Sequence, residues 1–358
     1  MKKFLAKKFF LLTLIIFAVI FGGCGSSTNE NNPSENNPPA AEEKTPVEKK
    51  TSVDEKKTSS EKVVNADLKI TMLNVGQGDA FLIQTKSQNI LIDTSDVDER
   101  TKLVNELDKA GVDTFDKIIL THPHADHIGG MEKLLKDKKF TVKEVYDNGI
   151  ASTSKLYLNY MNEIKSNKKI KRKALKTGDV LDFGDGVNFE VLYPTKQLVK
   201  DVNSDNQKTD PNNESVVGRL VYKDFSMMFT GDAEKPVESI LWADNDAKNL
   251  KSSVLKAGHH GSYTASTENF VQTVNPKYVF ISAGEPTEKR GGNTYGHPHV
   301  EPLETYLASG IDTKNIFWTW KNGTVVLTTD GKNISVQPEK KEDWVKSWIA
   351  ERKKSAKK

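Results

Sequence analysis

Four side chains that can ligate a metal lie within six positions of His122-Pro-His-Ala-Asp-His-Ile-Gly-Gly130: those of His122, His124, Asp126 and His127. Imidazole and carboxylate donors together suit zinc, manganese or iron rather than calcium. His122 and His124 are two apart and can point one way from an extended loop. Asp126 and His127 are then free to face a second ion a few ångströms away. The chain has 7 histidines, and all fall in compact groups: His122/His124/His127, His259/His260 and His297/His299. Scattered surface histidines would not group in this way.

The elements around the cluster must hold it in place. Lys117-Ile-Ile-Leu-Thr121 is apolar and partly β-branched and reads as a buried strand, and Gly130 to Lys136 opens an amphipathic helix. The cluster therefore sits where a strand gives way to a helix, the edge at which α/β sheets bind ligands. Upstream, Lys69–Val75, Ala80–Gln84 and Asn89–Asp93 are strand candidates joined by short polar turns. Gly76-Gln-Gly-Asp79 is a tight turn, and Asp79 either positions a ligand or caps that turn. Asp93 ends a strand and can accept a hydrogen bond from a ligating histidine. Glu99–Ala110 reads as a helix stopped by Gly111, and Ser152–Lys168 as another, in which Tyr157 and Tyr160 favour packing over a pocket. Thr141–Tyr146 and Val187–Leu192 continue the strand–helix alternation, and Val216–Tyr222 with Ser226–Thr230 form a hairpin around Lys223-Asp224. Ile316–Thr328 reads as a last hairpin turning at Asn322-Gly323. In it Trp318 and Trp320 read as packing residues, with stacking on a base as the weaker alternative.

The ligand cluster resembles the HxHxDH motif of the metallo-β-lactamase fold superfamily. Asn74-Val-Gly-Gln-Gly-Asp79, Thr230-Gly-Asp232, His259-His-Gly-Ser262 and Tyr295-Gly-His-Pro298 follow in order. With them the chain looks most like the hydrolase domain of ComEC/Rec2 competence proteins, from about Asp67 to Asp330, here as a stand-alone lipoprotein. The resemblance implies an α/β fold, the αββα metallo-β-lactamase-like sandwich. It also implies two divalent metal ions, zinc or manganese, bridged by Asp232; the bland alternative for Asp232 is a helix cap. Many superfamily members supply a third histidine to the first ion from the region of Thr195–Glu214, which here has none and offers Asn212-Asn-Glu-Ser215 instead. The first site is then more open.

Adjacent histidines on an extended chain point oppositely. His260 is accordingly assigned to the second ion and His259 to substrate contact or packing, with the reverse assignment open. Ser262, Asn213, Ser215 and Tyr295 are candidate substrate contacts. His297, on the glycine-rich loop Gly291–His299, is a candidate for protonating a leaving group or binding an oxyanion, against a structural role. His299 reads as structural. Asp126, His259 and His297 are the catalytic candidates.

Met1–Cys24 reads as a secretory signal: Lys2, Lys3, Lys7 and Lys8, then an apolar run from Phe9 to Phe21, then Gly-Gly-Cys24. Phe21-Gly-Gly-Cys24 resembles a lipobox, so Cys24 is the expected lipidation site and the membrane anchor, against an uncleaved anchor helix. Cys24 is the only cysteine, which excludes an intrachain disulfide and a thiolate-rich metal site. The formal charge of +3 is misleading. Removing the four leader lysines from the 52 basic residues leaves 48 against 49 acidic ones, close to −1. Net charge therefore gives no argument for nucleic acid. Residues 25–65 are rich in Ser, Asn, Pro, Glu and Lys, cannot bury enough surface to offset their ordering entropy, and read as a linker. The folded domain is expected over 66–330. Residues 331–358 read as a basic helical extension whose aromatic side, with Trp344, Trp348 and Ile349, docks on the domain, against contact with anionic lipid or nucleic acid.

The expected activity is hydrolysis by a water activated between two metal ions, outside the cytoplasm, on a phosphodiester: DNA or a wall or lipid component. Fold alone does not choose the substrate. A β-lactam or ester hydrolase of the same fold is one rival. The absent third histidine and the absent ligand cysteine count against it. A tethered binding lipoprotein with a structural or vestigial metal site is the other, and the complete ligand set counts against decay.

Overall fold

The computed structural model describes residues 67–244, 247–289 and 292–357. Cys24, the leader and the linker lie outside the described residues. Fifteen strands run in chain order: β1 Leu68–Met72, β2 Phe81–Gln84, β3 Asn89–Ile92, β4 Thr114–Leu120, β5 Thr141–Asp147, β6 Lys171–Ala174, β7 Val180–Asp182, β8 Asn188–Tyr193, β9 Val217–Tyr222, β10 Phe225–Phe229, β11 Val254–Lys256, β12 Tyr278–Ile281, β13 Ile316–Trp318, β14 Val325–Thr329 and β15 Ile334–Pro338. They form an 8-stranded sheet in the order β15-β14-β1-β2-β3-β4-β5-β6 and a 7-stranded sheet in the order β13-β12-β11-β10-β9-β8-β7.

The side-chain alternation of the strands explains the layering. In β2 and β3, Phe81, Ile83, Ile90 and Ile92 face the second sheet, where they meet Phe189, Leu220, Met227, Phe229 and Phe280. Leu82 and Leu91 point the other way, onto Leu103 and Leu107 of the helix Arg100–Lys109 and onto Met131, Leu134, Tyr157 and Tyr160. On the far side of the second sheet, Met228, Leu255, Val279 and Ile281 pack under Val237, Leu241, Phe270, Leu303 and Tyr306. The result is an αββα sandwich with apolar side chains buried on both faces of the central strands. Among the described residues no helix is long and apolar enough to cross a membrane.

The Asn322-Gly323 hairpin is not formed. β13 pairs in parallel with β12 in one sheet, and β14 pairs antiparallel with β1 in the other. Asn322 serves as a brace between them. Its Oδ1 accepts from the Trp318 amide at 2.9 Å and from the Trp344 indole at 3.0 Å, and its Nδ2 donates to the carbonyls of Lys340 and Glu342. The true hairpin joins β14 to β15, which carries the sheet past residue 330. Beyond it, the helix Val345–Ser355 buries Trp344 and Trp348 against Trp318, at ring distances of 5.0 and 5.1 Å.

Candidate metal centre

The C-terminal ends of β3, β4, β10, β11 and β12 converge on one edge of the sandwich and deliver Asp93, His122, Asp232, the His259-His260 turn and Ser282. The loop before β2 closes against them. Gly78, at φ 111°, lies so near the ligand loop that a Cβ there would meet the Asp126 carbonyl at 2.3 Å. The position demands glycine for space as well as for conformation.

One carboxylate oxygen forms the hub. Oδ2 of buried Asp232 is 3.1 Å from Nε2 of His127, 3.2 Å from Nε2 of His260, 3.9 Å from Nε2 of His259 and 4.0 Å from Nε2 of His122. Asp126 Oδ2 is 3.2 Å from His260 Nε2, so Asp126, His127, Asp232 and His260 form a compact group able to hold an ion. His124 packs its ring 4.6 Å from that of His122 and lines the adjoining cavity. The buried Nε2 atoms of His122, His127 and His260 make no hydrogen bond of acceptable geometry. Buried polar atoms are ordinarily paired, and three unpaired imidazole nitrogens around one carboxylate are donors that suit a divalent cation.

The atoms behind the ligands fix their tautomers. Asp93 Oδ2 is 2.8 Å from His127 Nδ1, and its two oxygens also accept from the Thr121 amide and hydroxyl. His260 Nδ1 faces the Ser282 carbonyl at 2.7 Å. His122 Nδ1 lies 3.3 Å from Ser215 Oγ, which also accepts from the Asp232 amide. Each arrangement turns Nε2 toward the hub. Burial works against the charged imidazoles of His127 and His260, but Asp232 and the neighbouring carboxylates outweigh it and raise both pKa values well above the usual one. Burial likewise opposes the Asp232 carboxylate, and His127 and His260 more than reverse that.

Several expected contacts fall elsewhere. Asn213 does not line the cavity; its side chain brackets Glu234 by accepting from the Glu234 amide and donating to Glu234 Oε2. Asn212 lines the cavity in its place. Ser215 is wholly buried behind His122, and Ser262 accepts from the Thr264 amide and hydroxyl; neither lines the cavity. Tyr295 does line the cavity and stacks on His297 at 5.7 Å. Burial, together with His260 and His259, pushes the His297 imidazole down to about 2. The charged imidazole is thus disfavoured there; of the two expected roles, hydrogen bonding to an oxyanion requires no such charge. His299 is structural: its Nδ1 accepts from the Tyr263 amide and its Nε2 faces the Tyr295 carbonyl. The reasoning that set His259 and His260 on opposite faces also fails locally. Both residues are left-handed, at φ 47° and 54°, so the chain there is not extended.

Two residues of the site carried no signal in the sequence. Lys256 is buried, with Nζ 2.6 Å from Asp79 Oδ2 and 3.5 Å from Asp232 Oδ1. It holds Asp79 against His260 Nδ1 at 3.3 Å, so Asp79 supports the ligands as well as shaping its turn. Glu234 places Oε1 3.1 Å from His259 Nδ1. The cavity outside the hub, about 780 Å³, is bordered by Asp96, Asp126, Asp210, Asp232, Glu234 and Glu288, with no lysine or arginine among its described lining residues.

Residues 73–285 match the family model of the metallo-beta-lactamase superfamily. The chain is 31% identical over 283 residues to ComE operon protein 3 of Bacillus subtilis, covering 73% of this chain and 33% of that one. It is 30% identical over 253 residues to competence protein ComA of Neisseria gonorrhoeae, covering 70% of this chain and 31% of that one. The chain thus spans about a third of the length of these curated relatives. Among solved structures it is similar to the metallo-beta-lactamase fold protein YhfI from Bacillus subtilis, at 11% identity and a TM-score of 0.45, covering 70% of this chain and 96% of that one.

Proposed function

The chain belongs to the metallo-β-lactamase superfamily, and from that premise we propose that it is a membrane-tethered, extracytoplasmic metal-dependent phosphodiesterase or nuclease of competence type. The observation that carries this reading is the convergence of His127, His260 and His122 on the single oxygen Asp232 Oδ2. A single oxygen so placed suits a ligand shared between two ions, with His122 and His124 on the first and Asp126, His127 and His260 on the second. Such ions, zinc or manganese, supply Lewis acidity and a water acidic enough to ionise near neutral pH.

The protein's own groups do the rest. Asp93, Ser282 and Ser215 hold the imidazole tautomers. His297, neutral beside His259 and His260, can donate a hydrogen bond to a phosphoryl oxygen as charge develops there. Tyr295 overhangs the cavity as an exposed aromatic face on which a base can stack. The acidic rim repels a polyanion until cations load the centre. Phosphodiester binding, and not only turnover, should therefore require metal. The likeness of about 30% to two competence proteins favours DNA over a wall or lipid phosphodiester. Tethering is assigned to lipid on Cys24.

The test is hydrolysis of bis(p-nitrophenyl) phosphate and of single- and double-stranded DNA by the purified chain loaded with zinc or manganese. The chromogenic β-lactam nitrocefin and the double variant Asp126→Ala/His127→Ala run in parallel. Metal-dependent phosphodiester cleavage absent from the variant is expected. Measured metal occupancy with no phosphodiester cleavage would overturn the substrate assignment.

A further inference from the structure

The segment 195–214 lacks a histidine, which leaves the ion beside His122 and His124 short of a donor. The geometry points to His259 as that donor: we infer that the adjacent residues His259 and His260 each ligate a different ion. This rests on the reading that the centre holds two divalent cations.

Consecutive residues can serve two ions only if the backbone turns between them, and here it does. His259 (φ 47°, ψ 52°) and His260 (φ 54°, ψ 23°) are both left-handed, a conformation that L residues avoid and that gathers at functional sites. The rings consequently diverge, with centroids 6.1 Å apart and planes at 61°. His260 is turned inward and buried, whereas His259 lines the cavity, as His124 does.

The hydrogen bonds select the same nitrogen in both. His260 Nδ1 is engaged by the Ser282 carbonyl. His259 Nδ1 is engaged by Glu234 Oε1 at 3.1 Å and Thr264 Oγ1 at 3.0 Å. A carboxylate on Nδ1 is the arrangement that orients a metal-bound imidazole and makes its other nitrogen more basic. Nε2 of His259 is 3.9 Å from Asp232 Oδ2, and that of His122 is 4.0 Å from the same oxygen. The two imidazole nitrogens thus stand at near-equal distances from the shared oxygen. The one hydrogen-bond neighbour of His259 Nε2 is the Asn212 amide at 3.4 Å, a long contact that an ion would replace. Glu234 is itself held by Asn213 through two hydrogen bonds. Asn213, in the segment that lacks a histidine, thus supports the orientation of His259 through Glu234.

The experiment counts ions. Wild-type chain, His259→Ala, His260→Ala and Glu234→Gln are dialysed against zinc or manganese, and bound metal is measured by mass spectrometry. Cobalt-substituted samples give coordination number from their visible absorption bands, and circular dichroism confirms folding. The expected result is two ions in the wild type, one in His259→Ala and one in His260→Ala. The cobalt bands lost in the two variants should differ. Glu234→Gln, a milder change that leaves the imidazole in place, should keep two ions but weaken one of them by about 10–100-fold. Two ions of unaltered affinity in both His259→Ala and Glu234→Gln overturn the inference, as does a wild type that holds only one. None of these readouts needs turnover, so a failed phosphodiester assay leaves the ligand assignment standing, and the reverse holds equally.

Discussion

The ammonium of Lys256 lies 2.6 Å from Oδ2 of Asp79, and both side chains are almost wholly removed from water. Burial opposes the charge on Lys256, but Asp79 and Asp232 reverse the effect and raise its pKa. Replacing Lys256 by Met leaves four buried or partly buried carboxylates, Asp79, Asp93, Asp126 and Asp232, with no internal lysine among them. Removing one partner of a buried pair costs about 3–5 kcal/mol. Lys256→Met should lose about that much in urea unfolding of the metal-free protein. A loss under about 1 kcal/mol would mean that water already solvates Asp79.

Protonation and metal compete for the same nitrogens. The raised His127 and His260 values stabilise the metal-free fold fully below the unfolded histidine pKa of about 6.5, and that contribution is lost as pH climbs through the folded values. The lowered Asp232 value stabilises above about 3.9 and is lost on acidification. These three groups together favour the metal-free fold most between about pH 4 and 6.5, and the lowered His122 and His297 values oppose them below about 6.5, so the denaturant midpoint reports the balance. Metal affinity should instead rise with pH, and binding should release protons. Calorimetry in two buffers of different ionisation enthalpy measures that release. Equal apparent enthalpies in both buffers would contradict it.

Much of this site could be read from the chain, and the failures have local causes. His122, His124, Asp126 and His127 were legible because their donors are crowded into six positions at a strand end. Asp232 was legible because it ends a strand in an order shared with a known family. The histidine pair was not resolvable, because the extended-chain rule does not hold where two left-handed residues follow one another. Lys256 carries no signal in the sequence, and only the fold places an aspartate beside it. Asn322-Gly323 carries the composition of a hairpin but braces two tryptophans across a change of sheet. Asn212 and Asn213 are indistinguishable by type. Backbone direction alone decides which one meets the cavity.

Asp93 stands behind His127, and three hydrogen-bonding groups converge on it: the Thr121 amide, the Thr121 hydroxyl and His127 Nδ1. Asp93→Asn keeps the shape but cannot accept at both oxygens, and an amide that presents N–H to His127 favours the wrong tautomer. Affinity for the ion held by His127 should fall about 10–100-fold, with little change at the other site. Titration with a fluorescent zinc chelator separates the two. Equal weakening of both ions would place Asp93 in general folding instead.

The C-terminal helix also reaches the site. The Trp348 indole donates to the Pro298 carbonyl at 2.9 Å, and the Arg352 guanidinium packs so close to Gly296 that a Cβ there would meet it at 2.7 Å. The loop that carries Tyr295 and His297 is therefore braced from behind by residues past 330. Trp348→Ala removes a large buried ring and should cost about 3–5 kcal/mol in unfolding, which by itself does not separate scaffolding from function. Arg352→Ala is the cleaner probe, because Arg352 lies at the periphery and its loss should shift stability by no more than about 1 kcal/mol. If the helix positions the loop, Arg352→Ala should lower turnover of a phosphodiester several-fold and leave the number of bound ions at the wild-type value. Unchanged turnover in Arg352→Ala at unchanged stability would reduce the helix to a cover for Trp318.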